Sequence, residues 1–460
     1  MKKYLFVLIV FLGTIAGVGE SQPPNIIFIM ADDLGYGDLG CYGQTLIKTP
    51  NIDRLAAQGI RFTQAYAGST VCAPSRGILM TGLHNGHAPV RDNVPHYHTY
   101  LRDRDVTLAE VLKKAGYRCG GIGKWSLGDP GTEGRATNQG FDGWLGYLNQ
   151  DHAHYYYPEY LDEGEGRREL PGNSKSKEHY SHNLMTEWAL RFIRESHAQP
   201  FFLYAAYTIP HYASSTEDRT QFPVVSDAPY GDRDWTQVEK NYAAMITLLD
   251  TDVGRMVELT RELKIDKKTL IIFTSDNGPW SGAPMDRFHC SGPLRGHKRT
   301  LYEGGIRVPF IAHWPGVIPA NRMSHEVIAF WDMLPTLAEI AGAQVPEDID
   351  GLSIWKAFKG QPLDQTHPYL YWDYGHCRAR YDQAVRLGAW KGIRHGRDHE
   401  IQLYNLDSDV QEKNNVAGQY PAIVKNMAEI MRTAAVPNER YPVGKIYQGQ
   451  PIWKPTWTQE

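Results

Sequence analysis

The sequence has few cysteines, no long apolar segment beyond its first residues and no excess of either charge. Five cysteines in 460 residues are too few for a disulfide-stapled scaffold. A formal net charge of −4, with no long basic or acidic run, gives no reason to expect a nucleic-acid partner. No segment after Gly19 is apolar enough to cross a bilayer, so no membrane span is expected. The chain is 42% hydrophobic and long enough to bury one large core and a smaller second one.

The N-terminus has the pattern of a secretory signal peptide. Lys2 and Lys3 precede the apolar run Tyr4–Ala16, and small residues continue to Gly19. A membrane anchor is the alternative, but this apolar run is short for a bilayer. We therefore expect residues 1–22 to be removed and the mature chain to be exported, to a bacterial periplasm or out of the cell.

Short β-rich apolar runs alternate with helical patterns, which predicts an α/β fold with a mainly parallel sheet. The predicted strands of this sheet are Ile26–Met30, Arg118–Ile122, Phe201–Tyr207, Leu270–Thr274 and Val308–Ala312. Apolar residues at helical spacing predict a long helix over Tyr242–Leu263. Towards the C-terminus, short antiparallel strands and a helix over Ala422–Thr433 predict a smaller domain. We divide the mature chain into residues 23–364 and residues 365–460.

The stretch Cys72-Ala73-Pro74-Ser75-Arg76 is the most informative short motif. Pro74 fits the first turn of a helix, and helix N-termini attract anions. Arg76 adds a cation one turn along, so the local chemistry presents a cysteine to an anion. The alternative is a buried structural cysteine at a helix start. The sequence leaves open whether the other cysteines pair or stay free: Cys41, Cys119, Cys290 and Cys377.

Polar side chains stand at the ends of four predicted strands. They are Asp32 and Asp33, Lys124, His211, and the pair Asp276 and Asn277. Ligands of open α/β sheets bind outside the carboxyl ends of the strands, so these groups are expected to converge. A single such site is more often a turn or a helix cap, but four in one sheet favour function. The aspartates and the asparagine offer only oxygen ligands, which suit Ca²⁺ or Mg²⁺.

Four blocks of the sequence resemble those of the type I sulfatases, in family order. They are NIIFIMADDLGYGDLG at 25–40, CAPSR at 72–76, FTSDNG at 273–278 and LRGHKRTLYEGGIRVP at 294–309. The resemblance implies an alkaline-phosphatase-like sheet sandwiched by helices, with a small C-terminal domain made of a short antiparallel sheet and a helix. It implies a Ca²⁺ ion held by Asp32, Asp33, residue 72, Asp276 and Asn277. It also implies that residues 23–364 form the catalytic domain.

The resemblance further implies that Cys72 is oxidised to formylglycine, whose hydrated aldehyde is the nucleophile. A formylglycine-generating enzyme or an anaerobic sulfatase maturase would be the transient partner for that step. Arg76, Lys124 and Lys298 would grip the sulfate, and His211 would be the general acid. The family usually has a histidine where this chain has Ser126, which can form hydrogen bonds but cannot act as a base near neutral pH.

The expected substrate is a sulfated saccharide. The loop NQDHAHYYYPEY at 149–160 is rich in His and Tyr, and aromatic faces of this kind can stack on a sugar ring. A packed aromatic loop with satisfied histidines is an equal alternative. The expected substrate-binding residues are His87, Arg91, Ser126, His152 and His154, with His84, His376 and Arg378 as further candidates. The blocks around this loop resemble bacterial enzymes for galactose and N-acetylgalactosamine sulfates, which implies exo action on a 4- or 6-sulfate.

Two other functions stay open. The first is a phosphodiesterase or phosphonate monoester hydrolase of the same superfamily, which can share the nucleophile and the metal ligands. The second is a pseudoenzyme that binds sulfated glycans without hydrolysing them, suggested only by Ser126. The intact set of Cys72, Arg76, Lys124, His211 and Lys298 argues against the second alternative.

Overall fold

The computed structural model describes residues 23–213 and 221–449. The predicted signal peptide, residues 1–22, lies outside these described residues. Within the described ranges, no helix has both the length and the apolar character that crossing a membrane requires.

The strands of the described residues are β1 (Asn25–Ala31), β2 (Ile60–Tyr66), β3 (Arg118–Lys124), β4 (Gly143–Tyr147), β5 (Tyr160–Glu163), β6 (Gly166–Glu169), β7 (Phe201–Ala206), β8 (Thr269–Ser275), β9 (Arg307–His313), β10 (Arg322–Ala329), β11 (Leu370–Tyr374), β12 (Asp382–Leu387), β13 (Trp390–His395) and β14 (Ile401–Asn405). The α-helices are α1 (Pro50–Ala57), α2 (Cys72–Thr81), α3 (Leu108–Lys114), α4 (Asn173–Ser176), α5 (Ser181–Ser196), α6 (Gln237–Glu262), α7 (Met285–Phe288), α8 (Glu303–Ile306), α9 (Met333–Ala341), α10 (Trp355–Phe358) and α11 (Pro421–Thr433).

The described residues form one large and one small sheet, which confirms the predicted α/β architecture. The large sheet has ten strands in the order β10-β2-β9-β8-β1-β7-β3-β4-β5-β6. Its central strands β8, β1, β7, β3 and β4 are parallel to one another. The predicted strand near residue 308 is β9, and it runs antiparallel to β8. The sheet is therefore mixed at its edges and parallel at its centre.

Helices cover both faces of the large sheet. Residues of β1 alternate between two apolar cores: Ile26, Phe28 and Met30 belong to one, and Ile27 and Ile29 to the other. A strand buried on both faces reads as a continuous apolar run in the sequence, which is why β1 was predictable. One core contains α2, α3 and α9, and the other contains α1, α5 and α6.

The small sheet joins β11 to β14 in antiparallel order. Alternate residues of β11 face opposite sides: Tyr371 packs in a cluster with α11, whereas Trp372 belongs to a core of the large sheet. The Trp372 indole also donates a hydrogen bond to the carbonyl of Ala67, at 3.0 Å. Because the two sheets share one core, the boundary at residue 365 stays a prediction, although the antiparallel sheet and its helix are confirmed.

Candidate active site

Strand direction brings the site residues to one edge of the large sheet. Asp32 follows β1, Lys124 ends β3, and Asp276 follows β8, all at the carboxyl edge of parallel strands. Because β9 runs antiparallel to β8, the segment before β9, which carries Lys298, reaches the same edge. Because β2 runs antiparallel to β9, the helix that follows β2 begins there too, at Cys72. The predicted convergence is confirmed.

Cys72 is the first residue of α2 and is fully buried. Its Sγ donates a hydrogen bond to Asp32 Oδ1 at 3.4 Å and receives one from Lys298 Nζ at 3.2 Å. Burial and the charge of Asp32 raise the pKa of the thiol to about 12, so it stays protonated at neutral pH. The backbone N–H of Ala73, next in the helix, is occupied by Asn93 Oδ1 at 3.0 Å. Side-chain cations, more than the helix N-terminus, are therefore what an anion would meet.

Three carboxylates and an amide converge beside Cys72. The strands β1 and β8 pair in register to Ala31 and Ser275, so the residues that follow them meet. Asp276 Oδ1 accepts the backbone N–H of Asp33 at 3.1 Å, and Asn277 Nδ2 donates to Asp33 Oδ1 at 2.7 Å. Asp33 has a φ of 62°, a left-handed conformation that is uncommon outside glycine and recurs at functional sites.

Each carboxylate is paired with a buried cation. Lys124 Nζ lies 2.8 Å from Asp32, Arg76 Nη2 lies 2.7 Å from Asp276, and Lys298 Nζ lies 2.7 Å from Asp33. Burial alone would raise the pKa of Asp32, but Lys124, His211, Arg76 and Lys298 hold it well below its usual range. Burial and the neighbouring Asp32 raise the pKa of Asp276 to about 6. The cluster is thus a dense set of compensating charges from which water is largely excluded.

The donor set fits a hard divalent cation. Ligand atoms of Asp32, Asp33, residue 72 and His211 all lie within 4.8 Å of one another. Asn277 Oδ1 is buried and accepts no hydrogen bond from the described residues, which leaves an oxygen ready for a metal. Carboxylate and amide oxygens are the ligands that Ca²⁺ prefers. Of these four residues, Asp32, Asp33 and residue 72 are predicted ligands, whereas His211 is predicted as the general acid. The full predicted set, with Asp276 and Asn277, stays a prediction, and an oxygen at position 72 would be a better ligand than a protonated thiol.

The ring of His211 lies next to Lys298 in this cluster. Its Nδ1 donates to the carbonyl of Tyr212 at 2.6 Å, which leaves Nε2 as the nitrogen with the lone pair, facing Lys298. Nε2 lies 3.0 Å from Lys298 Nζ and 3.5 Å from Asp33. Burial and the charge of Lys298 lower the pKa of His211 to about 4 in this arrangement. All five predicted catalytic residues therefore lie together.

The predicted substrate-binding residues separate into two groups. His154 stacks on His211, with ring centroids 4.3 Å apart, and so belongs to the site. Ser126, which is buried and has a left-handed φ of 60°, lies two residues after Lys124. His152 is buried between Tyr147 and Tyr160, as expected for the alternative of a packed aromatic loop. As a substrate contact, His152 stays a prediction.

The other predicted substrate-binding residues form hydrogen bonds with groups outside the catalytic cluster. His87 binds Asp350 at 2.9 Å beyond the far end of α2, and the buried Arg91 donates to the carbonyls of Ala88 and Val436. His376 binds Asp373, and Arg378 binds the buried Asp92 through two nitrogens. These bonds tie the chain after α2 to the C-terminal region. As substrate contacts, these four residues stay predictions.

Two side-chain contacts close to the site are not predictable from the sequence. Asn93 caps the N–H of Ala73, and the Tyr156 hydroxyl donates to the carbonyls of His211 and Thr208 at 2.5 and 2.9 Å. Each contact joins residues that are far apart in the chain. No local pattern in the sequence signals them.

Comparison with known proteins agrees with this site. A sequence model of the sulfatase family matches residues 24–343, and a model described as N-sulphoglucosamine sulphohydrolase, C-terminal, matches residues 296–436. The fold and site define an enzyme of the alkaline-phosphatase-like type. The chain belongs to the sulfatase family and is a sulfuric ester hydrolase.

Individual relatives cover most of the chain. It is 34% identical to the N-acetylgalactosamine-6-sulfatase of Canis lupus familiaris, over 95% of this chain and 84% of that protein. It is 35% identical to the arylsulfatase A of Homo sapiens, over 91% of this chain and 89% of that protein. The solved structure of Ps i-CgsB with k-i-k-neocarrahexaose superposes with a TM-score of 0.78 at 29% identity, covering 95% of this chain and 96% of that one.

Proposed function

We propose that the protein is an exo-acting carbohydrate sulfatase that releases sulfate from galactose or N-acetylgalactosamine. The observation that carries the proposal is the buried Cys72 thiol, bonded to Asp32 on one side and to Lys298 on the other. Relatives from Canis lupus familiaris and Bacteroides thetaiotaomicron are named for the 6-sulfate of N-acetylgalactosamine, which supports that sugar and position. The 4-sulfate is the alternative position.

We infer that residue 72 acts as formylglycine and that the neighbouring oxygens bind Ca²⁺. The hydrated aldehyde would supply an oxygen nucleophile, and the ion would polarise the sulfate oxygens. Two observations support this inference. The unmodified thiol, with its pKa of about 12, is a weak nucleophile, and Asn277 Oδ1 has no donor among the described residues. Asp32, Asp33, Asp276 and Asn277 would hold the ion.

The protein's own cations would bind the sulfate group. Arg76, Lys124 and Lys298 are buried at the carboxyl edge of the sheet. A sulfate ester that enters beside Cys72 would meet their positive charges in a site largely closed to water, where electrostatic contacts are strongest. Lys298 contacts Cys72 Sγ at 3.2 Å and would therefore lie beside the reacting atom.

His211 would protonate the departing sugar oxygen. Its Nδ1–H is held by the Tyr212 carbonyl, so the proton must pass through Nε2. Lys298 repels the imidazolium and contributes to the low pKa of His211. An anionic sulfate bound beside Lys298 would oppose that repulsion and favour the protonated ring that the step requires.

Maturation and export complete the proposal. Cys72 has no exposed surface in the folded chain, which supports oxidation before folding by a formylglycine-generating enzyme or an anaerobic sulfatase maturase. The signal-peptide pattern at residues 1–22 supports export to a periplasm or out of the cell.

The test is sulfate release from galactose and N-acetylgalactosamine that carry a 4- or 6-sulfate. Enzyme co-produced with a maturase is compared with Cys72→Ala, and the mass of residue 72 is measured. Release from one isomer, absent in Cys72→Ala, is the expected result. An oligosaccharide sulfated only at internal sugars is expected to resist.

Two results would contradict the proposal. A higher kcat/KM for a phosphonate monoester than for every sulfate ester would favour a phosphonate monoester hydrolase. The solved phosphonate monoester hydrolase of Agrobacterium radiobacter shares the fold, with a TM-score of 0.62 at 20% identity. Binding of sulfated sugars without release, although residue 72 is converted, would favour a pseudoenzyme.

A further inference from the structure

The rings of His154 and His211 are stacked almost face to face. Their centroids lie 4.3 Å apart and their planes differ by 9°. Burial and the charges of His211 and Lys124 hold the pKa of His154 well below its usual range. Ser126 and the other predicted sugar contacts have no comparable ring contact with His211 among the described residues. His154 is therefore the side chain that covers one face of His211.

The hydrogen bonds of His211 constrain the tilt of its ring less than the positions of its two nitrogens. Nδ1 bonds the Tyr212 carbonyl and Nε2 contacts Lys298, and both contacts lie at the ring edge. Edge contacts fix the two nitrogens but resist tilting of the ring plane only weakly. A parallel ring packed on the face blocks this tilt. The stack with His154 therefore adds the constraint that the hydrogen bonds lack.

The loop that carries His154 also binds the backbone of His211. His154 ends a short 3-10 turn, His152–His154, in which its backbone N–H bonds the carbonyl of Asp151. Two residues later, the Tyr156 hydroxyl donates to the carbonyl of His211 at 2.5 Å. His152, at the other end of the turn, is anchored in the core against Tyr147. This loop thus packs on the face of the His211 ring and also hydrogen-bonds the main chain of His211.

We propose that His154 is a positioning residue for His211, holding Nε2 in line with the departing sugar oxygen through its stacked ring face. The inference rests on the proposed function, in which His211 is the general acid. General acids contribute about 10²- to 10⁴-fold to a rate, and small misplacements can forfeit about 10²-fold. Loss of the stack is expected to lower kcat only for esters whose leaving group must be protonated.

The test compares two substrates in the matured, Ca²⁺-loaded enzyme. One is the sugar sulfate that the wild type hydrolyses fastest, and the other is 4-nitrophenyl sulfate, whose leaving group departs without protonation. For His154→Ala we expect kcat on the sugar sulfate to fall about 10- to 100-fold, with a loss on the aryl sulfate at least about tenfold smaller. Equal losses on the two substrates would overturn the proposal.

A second variant separates stacking from the chemistry of the imidazole. His154→Phe keeps an aromatic face against His211 but has no nitrogen. We expect it to recover most of the sugar-sulfate activity that His154→Ala loses. If His154→Phe is as slow as His154→Ala on the sugar sulfate, a nitrogen of His154 is required and positioning by stacking is wrong.

His182→Ala is the matched control, because His182 is a buried histidine whose ring packs on Tyr207 with the centroids 4.6 Å apart. It is expected to lower thermal stability without changing the ratio of the two activities. A ratio that changes as much as in His154→Ala would mean that any lost histidine ring contact has this effect, which contradicts the proposal. Failure of the wild type to release sulfate from either ester would instead refute the proposed function.

Discussion

Lys391 Nζ lies 2.9 Å from Glu303 Oε1, and both side chains are fully buried where the two sheets meet. Lys391 belongs to β13 of the small sheet, and Glu303 begins α8, five residues after Lys298. Glu412 also contacts Lys391, at 3.1 Å, and accepts the backbone N–H of Glu303. The small sheet is thus bonded directly to the segment that carries Lys298, which we propose as a catalytic residue.

Replacement of Lys391 by methionine tests this connection. The variant leaves Glu303 and Glu412 buried without their ammonium partner, so we expect a loss of about 3–5 kcal/mol in the free energy of unfolding. Urea titration measures this loss. Lys356→Met is the control, because its pair with Asp364 is largely exposed and is expected to contribute less than about 1 kcal/mol. Similar losses in the two variants would show that the buried contacts of Lys391 with Glu303 and Glu412 contribute no more to stability than an exposed ion pair.

Calcium binding is expected to stabilise the fold. A ligand that binds only the native state at 100 times its Kd adds about 2.7 kcal/mol, so Ca²⁺ should raise Tm and a chelator should lower it. Asn277→Ala removes the buried oxygen that has no donor among the described residues, and it should shift the Ca²⁺ dependence of Tm to higher concentrations. Thermal scans across a Ca²⁺ titration measure both effects. A Tm that is independent of Ca²⁺ in the wild type would refute the metal assignment.

Cys72→Ser is expected to transfer sulfate at most once. A serine ester at this position has no second hydroxyl through which to expel the sulfate, whereas an aldehyde hydrate does. With an aryl sulfate, the variant should release no more than one equivalent of phenol and gain the mass of one sulfo group. Absorbance and intact-protein mass measure these two results. Sustained turnover would rule out a covalent sulfate ester on residue 72.

The pair of His367 and Asp332 should make stability depend on pH. Burial disfavours the imidazolium, but a 2.7 Å hydrogen bond to Asp332 outweighs it and raises the pKa of His367. Stability from a raised histidine pKa is fully present below the unfolded value, about 6.5, and is lost as pH rises through the folded value. The stability difference between wild type and His367→Gln should therefore be larger at about pH 5.5 than at about pH 9. A difference that grows with pH in urea titrations would contradict this assignment.

Much of the catalytic cluster was predictable because it follows from strand ends. Asp32 and Asp276 come directly after apolar runs that are typical of strands buried on both faces, and in a parallel sheet such strands present their carboxyl ends at one edge. The antiparallel direction of β9 was not predictable, since an apolar run has no sign of direction. It is nevertheless that direction which brings Lys298 to Cys72.

The sequence predicted which residues lie at the carboxyl edge of the sheet, but it did not predict the orientation of individual side chains. His152 and His154 are two residues apart in one aromatic loop, and composition does not distinguish them. In the folded protein, the tight turn buries His152 against Tyr147 and lays His154 on His211. Residue types and strand order thus determined the chemistry of the site, whereas loop geometry, which depends on contacts between residues distant in sequence, decided which histidine faces it.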